Sequence, residues 1–208
     1  MYVLHDVMSN KDIQQIYTHV IENSLWKINS AYGGLDNPEL MYPRMQAMDE
    51  NGMHDPFLAG YFIATMARVR DELLDKHGFR LPTQSIAAIG FNAQRKGNVP
   101  EFHTDADGKG PHVWSAVGFL TPQWDPSWGG ELQIEDKTFT YGPGDFIVFR
   151  SNKLHDALPI KVDTPFWRVS VSCMMKCQPP TGNTIRVSHR NENSNHRHCV
   201  LPEKDADN

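Results

Sequence analysis

Tyr141-Gly142-Pro143-Gly144-Asp145-Phe146-Ile147-Val148-Phe149-Arg150-Ser151-Asn152-Lys153-Leu154-His155 reads as turn, strand, bend and then a histidine. Gly, Pro and Asp crowded at 141–145 supply the dihedral angles of a tight turn. The apolar run Phe146–Phe149, bounded by turn residues on both sides, predicts a short buried strand. Ser151–Leu154 bends the chain again. His155 therefore stands at the mouth of a sheet rather than inside a helix.

The same grammar extends outward from this stretch. Further strands are predicted at 84–94, 112–120, 131–134, 138–140, 157–162 and 166–175. Asp107-Gly108, Trp128-Gly129-Gly130 and Glu135-Asp136-Lys137 punctuate them. Many short strands at regular spacing predict an antiparallel sandwich or barrel over 84–176. Residues 1–80 read as a helical part. Ser9-Asn10 caps a first helix, with Asp12 in its first turn and Ile13, Ile16, Tyr17, Val20 and Ile21 at helical spacing. Asp55-Pro56 opens a second helix that runs through Phe62, Met66, Val69 and Leu73 and stops near Gly78. Between them, 29–54 reads as an irregular loop, either a substrate lid or a crossover covering the sheet. The tail, 179–208, is polar and predicts little ordered structure. The expectation is one domain over 1–178, mainly β with N-terminal helices.

The bulk composition narrows the function. A chain of 208 residues with 39% hydrophobic residues can bury one core. The net charge of −5 carries no basic surplus to suggest a nucleic-acid partner. The N-terminus lacks the pattern of a secretory signal, and no apolar run is long enough to span a membrane. Three cysteines, Cys173, Cys177 and Cys199, suit a reducing cytoplasm better than a disulfide framework.

Against that frame stands a spaced set: His103-Thr104-Asp105, then His155, then Arg168 within Trp167-Arg168-Val169-Ser170. In an extended segment, residues two apart face the same side, so His103 and Asp105 can meet one metal from one strand end. His155 supplies a third ligand from another strand. Taken singly, each is an ordinary surface residue. Two histidines and a carboxylate on a strand-rich chain form the facial triad of non-haem Fe(II) oxygenases, although catalytic zinc sites use similar ligands. Asp107, His112 and Asp156 lie nearby and read as surface or supporting groups. Arg168 offers a fixed cationic fork for a carboxylate, and Ser170, on the same strand face, adds a hydroxyl. The arginine and the barrel pattern favour iron.

The pattern His103-x-Asp105, Gly129-Gly130-Glu131-Leu132, Pro143-Gly144-Asp145-Phe146, His155 and Arg168-x-Ser170 resembles the Fe(II)/2-oxoglutarate dioxygenases, most closely the prolyl 4-hydroxylase-like branch. The resemblance implies a double-stranded β-helix, or jelly roll, supported by two or more helices, with the metal at its open end. It implies Fe(II) and 2-oxoglutarate as cofactor and co-substrate, with ascorbate as a candidate reductant. It also implies release of succinate and CO2 as the substrate is oxidised. Arg168 and Ser170 would grip the distal carboxylate of 2-oxoglutarate. Prolyl 4-hydroxylases usually place a lysine there, so the arginine argues against a prolyl substrate. Asn92 and Gln94 stand where alkylation-repair oxygenases carry Asn-x-Tyr, which implies that both touch 2-oxoglutarate. With the carboxylate ligand Asp105 in place, the expected reaction is hydroxylation of a peptide side chain, amino acid or small metabolite. A nucleic-acid demethylase and a non-catalytic jelly-roll binding module are the alternatives.

Weaker signals complete the reading. Trp124 and Trp128, in a loop around Asp125-Pro126, are candidates for a substrate platform, although core packing is the better account of the tryptophans. His189, His196, His198 and Cys199 match no zinc-finger spacing. Arg95, Lys96 and Lys109 read as a solvated loop.

Overall fold

The computed structural model describes residues 1–24, 26–30, 41–81, 83–98, 102–106, 113–140 and 142–177. The two expected helices are α1 (Asn10–Asn23) and α2 (Pro56–His77). Each begins at a side-chain cap. The Ser9 hydroxyl accepts from the Asp12 N–H at 3.2 Å, and the Asp55 carboxylate accepts from the Leu58 N–H at 3.0 Å. Such caps satisfy amide donors that the first helical turn leaves without partners.

Eleven strands follow the chain among the described residues: β1 (Tyr2–Leu4), β2 (Lys27–Ser30), β3 (Met41–Asp49), β4 (Gly52–Met53), β5 (Thr83–Gln94), β6 (Val113–Phe119), β7 (Leu132–Ile134), β8 (Lys137–Phe139), β9 (Phe146–Arg150), β10 (His155–Ala157) and β11 (Arg168–Cys177). They form two antiparallel sheets. The major sheet has the order β1-β9-β6-β11-β5-β3-β2, with β4 paired to β3, and the minor sheet has the order β10-β7-β8. This is the jelly roll, with its two helices on the outside of the major sheet. Among the described residues, no helix is long and apolar enough to cross a membrane.

The alternation of strand side chains divides the interior. On β11, Val169, Val171, Cys173 and Met175 join the core that α1 and α2 cover. The intervening Arg168, Ser170 and Ser172 line a cavity between the sheets. On β5, Ile89, Phe91 and Ala93 face the helices, whereas Asn92 and Gln94 face the cavity. A smaller core, built from Val117, Phe119, Trp124, Leu132, Ile134, Ile147, Phe149 and Ile160, joins the two sheets. Thus each long central strand stabilises the fold with one face and furnishes a polar surface with the other.

Two expectations are corrected. Residues 1–80 are not helical alone, because β1 to β4 lie among them, and most of the described residues in the stretch expected as an irregular loop are strand. Residues 31–40 lie outside the described residues. Met41-Tyr42-Pro43-Arg44-Met45 has few β-branched residues and contains a proline, so it does not advertise a strand. Pro43 opposes Ile28 on the edge strand β2, and pairing to β5 starts one residue later, at Arg44. The missing N–H therefore falls outside the β3–β5 ladder. The second correction concerns 157–162. Here β10 begins earlier, at His155, and beyond Ala157 only Ile160 bridges, to Gly129. Pro159 cannot donate to a ladder, which ends the strand.

Candidate active site

His103, Asp105 and His155 converge, with ligand atoms all within 4.8 Å of one another. Backbone pairing enforces this. The His103 N–H donates to the His155 carbonyl at 3.1 Å, and the His155 N–H donates back to His103 at 2.9 Å. The Asp105 N–H donates to the Ser151 carbonyl at 2.9 Å. His103 thus adds an isolated bridge to the edge of the minor sheet, and the chain bends at Asp105.

The side chains are arranged as donors to a shared centre. The His103 and His155 Nε2 atoms lie 3.7 and 3.6 Å from the two Asp105 carboxylate oxygens, beyond good hydrogen-bond length. His155 Nδ1 lies 2.9 Å from the Lys153 carbonyl. A carbonyl only accepts, so Nδ1 carries the proton and Nε2 presents its lone pair inward. The Ser115 hydroxyl donates to Asp105 Oδ2 at 2.5 Å, and the Ser151 hydroxyl stands 2.8 Å from it. Ser115 and Ser151 are fully buried. With its own proton committed to Asp105, Ser115 must accept from Ser151.

Electrostatics favours the metal-binding protonation states. Burial pulls the Asp105 carboxyl upward, but His103, His155 and Ser115 together outweigh it and hold the group below the usual carboxylate range. Burial lowers the His155 pKa, Asp105 opposes this, and the neighbouring His103 lowers it further. At neutral pH the site offers a carboxylate and a neutral imidazole. A cluster of two imidazoles and one carboxylate, with its outer hydrogen bonds satisfied and one side open to a cavity, fits a divalent transition metal.

The cavity holds about 570 Å3 including its open mouth. At its base lies Arg168, only 1% exposed. Its Nε donates to the Gly130 carbonyl at 2.8 Å and its Nη1 to Gln94 Oε1 at 2.8 Å. The register of β11 with β5 explains the company it keeps, because Arg168 opposes Gln94 and Ser170 opposes Asn92. All four line the cavity with the three candidate ligands. A guanidinium fixed in this way presents a rigid, charged fork to a carboxylate that enters the cavity.

The Gly129-Gly130 pair has a steric reason. Both residues have positive φ, 84° and 75°. A Cβ on Gly130 would stand 2.9 Å from Arg168 Cδ, and one on Gly129 would stand 2.6 Å from the Pro159 carbonyl oxygen. Glycine lets this loop close against the arginine.

Residues 90–176 match the model of the 2OG-Fe(II) oxygenase superfamily. The matched segment runs from β5 to β11 and carries the candidate site. Together with the cluster of His103, Asp105 and His155, that match marks an oxidoreductase of the kind that uses Fe(II) and 2-oxoglutarate. Solved structures share the fold at low identity. A Pseudomonas putida prolyl-4-hydroxylase is 17% identical, with a TM-score of 0.57, over 86% of this chain and 92% of that one. An oxidoreductase of the 2OG-Fe(II) oxygenase family from Burkholderia pseudomallei is 15% identical, with a TM-score of 0.62, over 84% of each chain. The viral collagen prolyl hydroxylase of Paramecium Bursaria Chlorella virus-1, solved as its 2OG complex, is 13% identical, with a TM-score of 0.58, over 86% and 96%. A search of curated proteins returned no match.

The remaining residues singled out in the sequence settle differently. Trp124 is buried in the inter-sheet core, donates its indole N–H to the Gly129 carbonyl at 2.9 Å and packs edge-on against Trp128. It supports the Gly129-Gly130 loop and is not a substrate platform. Arg95 stacks on Trp167 at 3.8 Å, and Lys96 pairs with Asp163 at 3.1 Å on the surface. Lys109, Asp107, His112 and the histidines of the tail lie outside the described residues. Ser115 and Ser151 are the residues that sequence reasoning missed. A lone serine inside the apolar run Val113–Phe119 was the available signal.

Proposed function

We propose that His103, Asp105 and His155 hold Fe(II), that Arg168 and Ser170 receive the distal carboxylate of 2-oxoglutarate, and that the enzyme hydroxylates a peptide side chain, an amino acid or a small metabolite. The observation that carries this reading is the buried Arg168, aligned by strand register with the floor of the cavity that the three ligands border. When bound, Fe(II) and 2-oxoglutarate would supply an oxidation by O2, in which the co-substrate loses CO2 and gains one oxygen atom to become succinate while the other oxygen atom passes to the substrate as a hydroxyl. The protein's residues bind and orient. Arg168 and Ser170 fix the co-substrate from its far end, so its reactive end points at the metal. Asn92 adds an amide on the same rung. Gln94 acts through Arg168, whose guanidinium it positions. His155 Nδ1 and Ser115 hold two ligands in their binding rotamers. The free, buried thiols of Cys173 and Cys177 support a cytoplasmic setting.

The test is an anaerobic absorption titration of metal-free protein with Fe(II) and then 2-oxoglutarate. A weak visible charge-transfer band that is lost in His155→Ala supports the proposal. Folded, metal-loaded protein without the band would overturn the Arg168 assignment.

A further inference from the structure

The backbone that carries Arg168 is held by a side chain at a point where its neighbouring strand has run out. β6 ends at Phe119, and its ladder with β11 ends at the pair Phe119 and Ser170. Beyond that pair the Leu120 N–H donates to the Val169 carbonyl at 3.0 Å. The chain then leaves the sheet through Thr121-Pro122, and proline has no N–H with which to extend the pairing.

Thr121 takes over from the strand. Its hydroxyl accepts from the Val169 N–H at 2.9 Å and donates to the Trp167 carbonyl at 3.0 Å. Those two groups belong to the two peptide planes that meet at the Arg168 Cα. One hydroxyl therefore constrains φ and ψ of Arg168, and with them the direction of its Cα–Cβ bond. Thr121 is fully buried, and its branched Cβ restricts χ1, so the hydroxyl itself is fixed. On the far side of Trp167, the Tyr17 hydroxyl of α1 accepts from the Trp167 N–H at 3.1 Å. Gly130 and Gln94 hold the head of the arginine, and Thr121 holds its root. A small rotation at the root is amplified along so long a side chain, and a misplacement of about 1 Å in a positioning group can cost about a hundredfold.

We propose that Thr121 is a positioning residue for the co-substrate. By holding the two peptides on either side of Arg168, it aims the guanidinium and so sets the preference for a 2-oxo acid with a distal carboxylate. The inference rests on the proposed role of Arg168 in receiving that carboxylate. It goes further by naming the residue that gives the arginine its direction from outside the cavity lining.

Two matched probes test it. 2-Oxopentanoate has the same 2-oxo acid end as 2-oxoglutarate and a methyl group in place of the distal carboxylate. Each acid is titrated anaerobically into Fe(II)-loaded protein, and the charge-transfer band gives its half-saturating concentration. Competition with a chelator for Co(II) gives the metal affinity separately. The wild type should bind 2-oxoglutarate about tenfold or more tightly than 2-oxopentanoate, the size of one charge-assisted pair. Thr121→Val removes the hydroxyl and keeps the shape. It should weaken 2-oxoglutarate by about tenfold and leave 2-oxopentanoate and Co(II) within about twofold, so most of the preference disappears. Thr121→Ser restores the hydroxyl and should recover most of the preference. A purely structural role would instead weaken both acids and the metal together. That outcome, or an undiminished preference in Thr121→Val, overturns the inference. If Thr121→Val fails to fold, Tyr17→Phe decides, because it loosens the same stretch from α1. It should reduce the preference by about threefold, and an unchanged ratio overturns the inference. A wild type that binds both acids alike would strike at the Arg168 assignment itself.

Discussion

Replacing Ser115 by alanine tests how far the site depends on a residue that never touches the metal. Ser115 is fully buried and donates to Asp105 Oδ2 at 2.5 Å, with Ser151 donating to it in turn. A hydrogen bond to a charged group contributes about 1.5–3 kcal/mol. Ser115→Ala should destabilise the metal-free protein by about that amount, because the unfolded Asp105 is solvated either way. At roughly 2–4 °C per kcal/mol for a chain of this size, the melting temperature should fall by about 3–12 °C. The effect on metal affinity has a different origin. The hydrogen bond exists with and without metal, so most of its strength cancels. What remains is the cost of ordering a loosened carboxylate, about 0.5–1.5 kcal/mol, and competition from protons now that one influence lowering the Asp105 pKa is gone. A loss of about tenfold in affinity follows, at the lower end of what outer-shell changes produce. Competition between the protein and a chelator for Co(II) would measure the affinity, and denaturant unfolding the stability. In an Asp105→Asn background the same change should cost markedly less. Equal costs in the two backgrounds, or affinity unchanged within about twofold, would refute the reasoning.

Gly130→Ala combines a positive φ with a Cβ pressed on Arg168, so 2-oxoglutarate affinity should fall by about tenfold or more while metal affinity holds. Equilibrium titrations with each ligand would separate the two effects. The folded-state pKa of His155 lies below its unfolded value, as does that of Asp105, so the unfolded chain binds protons more readily. Metal-free protein should therefore lose stability as pH falls below about 6.5, the unfolded histidine value. His155→Gln should flatten that slope, and denaturant midpoints at neutral and mildly acidic pH would show it. Burial pushes both the Cys173 and Cys177 thiols upward, so neither should be alkylated at an appreciable rate in native protein. Mass mapping after brief iodoacetamide treatment checks this, and rapid native-state labelling of Cys173 would contradict the packing.

The sequence determined the local pieces. Turn residues around Phe146–Phe149 set that strand's limits closely, and the Asp55-Pro56 start and the Gly78 stop bounded α2. Both are short-range effects of dihedral preference and capping, legible one segment at a time. His-x-Asp likewise announced two candidate ligands, which the fold brings together with His155. Long-range pairing decided the rest. Nothing local in Met41-Tyr42-Pro43-Arg44 marks a strand, because β3 is held by its partners β2 and β5 and not by its own propensity. Only the β5–β11 register brings Gln94 to Arg168, and only the meeting of 103–105 with 151–155 brings Ser151 and Ser115 to Asp105. Those contacts join residues far apart in the chain. They exist because two sheets close over one core, and that closure depends on the whole chain rather than on any one segment.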